Sequence, residues 1–341
     1  MARRVHRRRH PGHAAPGRRQ RQRGAGGDQE DGRDVEHLGF EVEVYEKSRG
    51  VSGRMSTRNG DGWNADHGAQ YFTARDPLFI EELNHWIQSE AASIWNPCLK
   101  VYKQGQWHDS ISSENRYVGT PNMTAPGKFL ARNLSIQLNQ TIDQIAIKKG
   151  KWSLHSIEGG DIQKKFDWLV LALPAPQALA LTQQIDLKIK GLVSNANMQG
   201  CWTVIASPNQ NLNTDFDAAF VNNEIISWIS RNNSKPNRIG REVWIIHANP
   251  QWSQEWIELD RDAAAKLILD CAKKLGLDFG NSKVSIHRWR YASGHVNPAS
   301  GPIINQDLRL GFCGDWLRGG RVEGAWLSGY ELASQIEILQ K

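Results

Sequence analysis

Two acids near opposite ends of the chain stand where a carboxylate can hold a ligand. Glu46 closes Phe40-Glu-Val-Glu-Val-Tyr-Glu46, an alternating run that reads as a β-strand ending on an acid. A carboxylate there can accept two hydrogen bonds, as the acid at the tip of the second strand does for a ribose in dinucleotide folds. Asp315 follows the short apolar strand around Leu310 and Phe312. It lies in Gly314-Asp-Trp-Leu-Arg-Gly-Gly-Arg-Val322, a Gly-rich turn entering a helix that runs through Ala325, Leu327 and Leu332 towards Ile338. Unpaired N–H groups at a helix start carry the positive end of the dipole and suit an anion or an electron-rich ring. Each feature alone is also ordinary: surface strands often end in Glu, and Gly-Asp turns are common.

Between these acids lie two further stretches. Lys47-Ser-Arg-Gly-Val-Ser-Gly-Arg-Met-Ser-Thr-Arg58 is a basic loop punctuated by Gly50 and Gly53, able to set the forked donors of Arg54 against a pyrophosphate. Ala65-Asp-His-Gly-Ala-Gln-Tyr-Phe-Thr-Ala-Arg-Asp76 mixes small residues with aromatic and charged ones, which suits a backbone lying against a ring system. Asp66-His67 resembles an acid–base or metal pair. Adjacent residues of an extended segment face opposite ways, however, and this argues against both.

Other chemistries leave no trace. Paired carboxylates, a Walker loop and metal-ligand spacing are missing, and Ser230, Ser234 and Ser300 lack a nucleophile-elbow setting. His247 and His287 fall within strand patterns and read as structural. The four cysteines (Cys98, Cys201, Cys271, Cys313) are far apart, which points to a reduced, cytoplasmic protein without structural zinc.

The elements that must position these residues begin only at Gly39. The first 38 residues hold ten Arg and five acids, and Val5, Val35 and Leu38 are their only branched aliphatics. They are expected to form neither an amphipathic helix nor a buried strand, and they lack the apolar region of a signal peptide. Without interleaved aromatics the segment also makes a poor nucleic-acid arm. Arg7-Arg-Arg-His10 is what codons for a Gly-Ala-Gly turn give when read one base out of register, so a frame change is a further reading. Most of the net charge of +6 resides here, and the remainder is nearly neutral. No apolar run approaches the roughly 18 residues of a membrane span. The fourteen tryptophans are expected mostly in the core, with some lining a pocket for a flat ligand.

Beyond the first loop, periodicity predicts a helix over Phe79–Ile87 with apolar positions Leu78, Leu83, Trp86 and Ile87. A second helix enters after Thr124 as N-cap. The runs Thr141–Ile147 and Lys151–Ile157 form a meander, and Phe166–Leu173 reads as a buried parallel strand. Residues 190–299 read as a mostly β layer whose strands lead into a helix over Leu259–Leu275 with Ala263, Leu267, Ile268, Cys271 and Leu275 on one stripe.

The run Val44–Arg58, the run Asp66–Asp76 and the stretch Gly314–Gly329 together resemble the bacterial renalase-type flavoproteins, within the FAD-dependent amine oxidase and p-hydroxybenzoate hydroxylase-like superfamily. Val118-Gly-Thr-Pro-Asn-Met123, Leu171–Gln177, Trp228–Arg238 and His287-Arg-Trp-Arg-Tyr-Ala292 match in order, so the resemblance spans about residues 39–341. It implies an α/β (α+β, two-domain) fold: a Rossmann-like FAD domain from 39–80, 125–180 and 300–341, and a mostly antiparallel β substrate domain from 81–124 and 181–299. The departure is the first βαβ unit with its G-x-G-x-x-G turn, which is not legible in residues 1–38.

The resemblance also implies non-covalent FAD. Its ribose would be held by Glu46 beside Lys47, and its phosphates by Gly53 and Arg54. Gln70 and Tyr71 would lie along the ring, Ile142 at the adenine, Gly314 and Asp315 at the ribityl or pyrophosphate region, and Val322 near the isoalloxazine. The Leu173–Pro176 turn would border the cofactor. Tyr71, Phe72, Thr73, Ala74, Arg75 and Trp316 are the expected substrate-facing set, with plain packing the alternative for Phe72 and Trp316. The implied reaction takes aberrant NAD(P)H isomers, with O2 as acceptor and H2O2 as product, and uses no acid–base residue. Alternatives are a flavin amine oxidase, a non-catalytic remnant that has lost FAD, and a nucleic-acid binder acting through the Arg-rich arm.

Overall fold

Two sheets carry the fold, and their burial explains their composition. In the computed structural model, residues 2–5, 39–185, 187–296 and 300–340 are described. The first sheet has the strand order Ile303–Asn305, Leu310–Phe312, Trp168–Leu171, Ala2–Val5, Glu43–Glu46, Ser135–Leu138. Trp168–Leu171 and Leu310–Phe312 pair in parallel, as do Glu43–Glu46 and Ser135–Leu138. The first two are buried throughout, which is why they read as continuous apolar runs. Glu43 tolerates burial in this sheet because Lys164 and the Tyr45 hydroxyl donate to it at 2.8 and 2.9 Å.

Ala2–Val5 corrects the expectation that the first 38 residues supply no strand. It fills the central slot and runs antiparallel to both neighbours, with Ala2 opposite Leu171 on one side and Tyr45 on the other. The physical reason is a matter of backbone. Strands on either side leave two rows of N–H and C=O groups open, and an extended segment satisfies them whatever its side chains. The Arg7–His10 run and the frame reading lie outside the described residues.

The second sheet has seven strands in the order Ser282–Ser293, Gln199–Pro208, Trp244–Ala248, Ile226–Arg231, Ala218–Val221, Leu99–Lys103, Gln106–Asp109. It is antiparallel except where Ala218–Val221 meets Leu99–Lys103. Helix Arg261–Lys274, capped by the Asp260 carboxylate, covers one face. The buried stripe is Ala264, Ala265, Ile268 and Ala272, whereas Leu267 faces solvent. The expected stripe is thus rotated, because small residues let the helix approach the bulky Trp202 and Trp244 of the same core.

Helix Pro77–Gln88 buries Phe79, Glu82, Leu83 and Trp86 and leaves Leu78 and Ile87 exposed; Glu82 is satisfied by the Trp86 indole at 2.6 Å. Thr124 precedes helix Ala125–Leu130, but its hydroxyl makes no cap bond. The meander turns where expected, through left-handed Lys149 and Gly150 between Ile142–Lys148 and Lys151–Ser156. No helix among the described residues is long and apolar enough to cross a membrane.

Candidate functional site

A cavity of about 2620 Å³ is lined by residues of both sheets and by segments drawn from Tyr45 to Ala333. Its wall includes Glu46, Lys47, Gly53, Arg54, Gln70, Tyr71, Phe72, Thr73, Arg75, Ile142, Gly314, Asp315 and Val322. Ligand pockets usually hold about 300–1,000 Å³, so this one has room for a dinucleotide and a second molecule.

At one end, Glu46 sits buried at the tip of its strand. One carboxylate oxygen accepts from the Ser48 N–H at 2.8 Å, and the other takes no hydrogen bond from a described residue. At the middle, the Arg54 guanidinium is held by both oxygens of Asp315 at 2.9 and 2.5 Å and by the Ala292 carbonyl at 3.0 Å. The Arg54 carbonyl accepts from Ala69 N–H at 2.9 Å. One residue thus ties the basic loop to the 68–69 segment, to strand Ser282–Ser293 and to the Gly314–Asp315 turn. Gly68 is required there: a Cβ would lie 1.9 Å from the Arg54 carbonyl oxygen. The Asp315 carbonyl then accepts from the N–H groups of Arg318 and Gly320, turning the chain into helix Val322–Gln340.

Several expected ligand residues are differently employed. The Gln70 side chain is saturated, donating to the carbonyls of Asp66 and Gly68 and accepting from Ser230 and Lys235, so only its backbone and position serve the cavity. Arg75 pairs with Glu114, and the amides of Arg75 and Asp76 donate to buried Glu323 at 2.6 and 2.7 Å. Trp316 is fully buried in the core, its indole donating to the Leu173 carbonyl at 3.0 Å; it is not substrate-facing. Gly314 explains this, because a Cβ there would lie 2.8 Å from the indole nitrogen and the ring fills that space. Ala74 packs beside the Phe72 core rather than lining the cavity. Phe72 reaches the wall but is mainly packed on Phe79, Trp86 and Tyr117.

Asp66 and His67 diverge, as extended backbone requires. Asp66 is fully buried between Lys235 (3.3 Å) and Arg238 (2.6 Å), with Thr57 donating at 2.7 Å. Burial opposes its charge, yet the two cations hold its pKa at about 2. Burial in turn lowers Lys235 to about 8 despite the carboxylate. His67 faces the other way, stacked on Trp289 with centroids 5.2 Å apart and edge-on to His287 at 4.9 Å. Its carbonyl accepts from the Trp289 indole at 3.1 Å. Burial lowers His67 to about 3 and both His247 and His287 to about 4, so all three rings are neutral at pH 7. No cluster of His, Cys, Asp and Glu among the described residues could hold a metal.

Sequence reasoning missed this ring wall of His67, His247, His287, Trp289 and Trp228, all lining the cavity. A signal existed: His287 and Trp289 are two apart on one strand and so share a face. Register completes it, since Thr203 pairs with both His247 and His287.

Residues 100–337 match the family model described as flavin containing amine oxidoreductase, and residues 33–84 that of an NAD(P)-binding Rossmann-like domain. Renalase of Mus musculus is 26% identical over 153 residues, which cover 42% of this chain and 42% of that protein. Among solved structures, one provisionally assigned as a protoporphyrinogen oxidase from Exiguobacterium sp. 255-15 has a TM-score of 0.70 at 12% identity, covering 89% of this chain and 95% of that one. A CLA-producing fatty acid isomerase from P. acnes gives 0.65 at 11%, covering 86% and 92%. A redesigned putrescine oxidase gives 0.62 at 10%, covering 89% and 94%. At these identities the structural likeness is one of fold.

Proposed function

Because the chain belongs to the flavin containing amine oxidoreductase family and is renalase-like, we propose that it is an FAD-dependent oxidase of dihydronicotinamide nucleotides. On this reading misreduced isomers of NAD(P)H become NAD(P)+ while O2 and one proton become H2O2. A bound flavin supplies the hydride acceptor and the route to O2.

The residues present fit such a group at both ends of the cavity. Glu46 offers an oxygen with no hydrogen-bond partner among the described residues, beside Lys47, for a ribose, and Ile142 lines the same cavity. At the other end Gly68 and Ala69 line the cavity, and the helix start at Val322 reaches it together with Tyr71. The middle is weaker. In a doubly wound fold the central strand runs parallel to its neighbours into a glycine turn whose N–H groups grip the pyrophosphate. Here the described central strand runs the opposite way, which leaves Gly53 and Arg54, the latter already engaged by Asp315.

The chain's own residues then bind, orient and exclude water. The neutral rings of His67 and His287, with Trp289 and Trp228, give the cavity an aromatic, low-polarity wall against which a nicotinamide can lie. No proton needs to be taken from carbon, because a dihydropyridine is already electron-rich at the carbon that gives up hydride. Continuity of one cavity from Glu46 past the Asp315–Val322 turn to that wall is the observation that carries the reading. Anaerobic addition of dihydronicotinamide isomers to the FAD-saturated protein tests it, with loss of the visible flavin absorbance as the readout.

A further inference from the structure

Arg58 is a half-buried guanidinium of the cavity wall with no acidic partner among the described residues. The other guanidinium groups of the wall are mostly taken: Arg54 by Asp315, Arg75 by Glu114, and both Arg288 and Arg290 by Glu258. Among the described residues Arg58 makes two long hydrogen-bond contacts, to the Ser285 hydroxyl and to His287 Nδ1, each at 3.4 Å. Strand alternation puts it there, since Thr57 turns to Asp66 and its neighbour must face the cavity. Burial lowers its pKa, and the charges of Arg49, also in the wall, and of Arg261 lower it further. Partly buried charges are ordinarily paired, so this cation is set for an anion that the described residues do not supply.

We propose that Arg58, with Arg49 of the same cavity wall, is an anion subsite that reads the phosphate of a nucleotide substrate. The flat ring of the same ligand would lie on the His67–Trp289 wall. His287 links the two places: it touches Arg58, and its ring centroid is 4.3 Å from Trp289 and 4.9 Å from His67. The subsite selects nucleotides over ribosides, and it disfavours protonated amines, which would meet an unpaired cation. The identity of the anion rests on the proposed dihydronicotinamide substrate; the subsite itself rests on the geometry.

Calorimetric titration of the FAD-saturated full chain tests this with three probes: oxidised nicotinamide mononucleotide, nicotinamide riboside and inorganic pyrophosphate. The mononucleotide is expected to bind about tenfold tighter than the riboside, a gap that added salt narrows. Arg58→Gln should close the gap, and Arg58→Lys, which keeps the charge but not the fork, should keep part of it. A gap unchanged in both variants, or equal binding of the two ligands to the wild type, overturns the subsite while leaving the proposed substrate class intact. If neither nicotinamide ligand binds, yet pyrophosphate binding is lost in Arg58→Gln, the subsite stands and the dihydronicotinamide reading falls.

Discussion

Arg54 and Asp315, 261 positions apart, close a two-pronged ion pair in the wall of the cavity, with contacts of 2.9 and 2.5 Å. The arginine side chain is 30% exposed and the aspartate 8%, so the two partners are not equivalent. Arg54→Ala strands a nearly buried carboxylate and is expected to cost about 3 kcal/mol. Asp315→Ala leaves a cation that water can still reach, and should cost less. Urea unfolding of the two single variants measures the difference; equal losses would contradict this account of the pair.

The Asp66 clamp makes the opposite kind of prediction. Asp66→Asn leaves Lys235 and Arg238 buried without a counter-charge and should cost about 3–5 kcal/mol. Lys235→Met keeps the shorter Arg238 contact and the Thr57 bond and should change stability by no more than about 1 kcal/mol. Denaturant midpoints of both variants check the ordering.

Glycine at 68 and glycine at 53 should respond unequally to alanine. At 68 the added methyl would meet the Arg54 carbonyl oxygen at 1.9 Å, and the loss should be about 3 kcal/mol with weaker flavin binding. At 53 the space is open and only the left-handed φ of 52° resists, so about 1 kcal/mol is expected. Thermal melts with and without FAD distinguish the two.

Stability should fall as the solution is acidified below neutrality, and histidines are the cause. His67, His247 and His287 have folded-state pKa values of about 3, 4 and 4, below the 6.5 of a free imidazole. The unfolded chain therefore binds more protons between about pH 4 and 6.5. Their contribution is complete above 6.5 and is lost as pH falls towards 4. Asp66, depressed to about 2, adds its own loss only below about 4. Proton uptake on unfolding near pH 5 should approach about three per molecule from these rings; an uptake near zero would show that they are not buried neutral.

Much of this was legible because it is local. Strand alternation ended on Glu46, the glycine-rich turn led into helix Val322–Gln340, and the meander turned at Lys149-Gly150. Pairings across the chain were not. Nothing near Gln70 reveals that Ser230 and Lys235 occupy its side chain, or that Glu114 takes Arg75. Trp316 reads as substrate-facing, with plain packing the alternative, until the space beside Gly314 is seen to be filled by its ring. The Ala2–Val5 strand escaped for a different reason: it is held by backbone pairing, to which side-chain patterns are blind.

The central claim is that one cavity, anchored by Glu46 and by the turn after Asp315, holds a flavin dinucleotide against a wall that receives a dihydronicotinamide. Anaerobic stopped-flow mixing of the FAD-saturated chain with dihydronicotinamide isomers, and separately with an amine such as putrescine, tests it most directly. Rapid loss of flavin absorbance with the isomers and none with the amine is the predicted result, with recovery and H2O2 on admitting O2. Reduction by the amine alone, or protein that retains no FAD at saturating concentration, would contradict it.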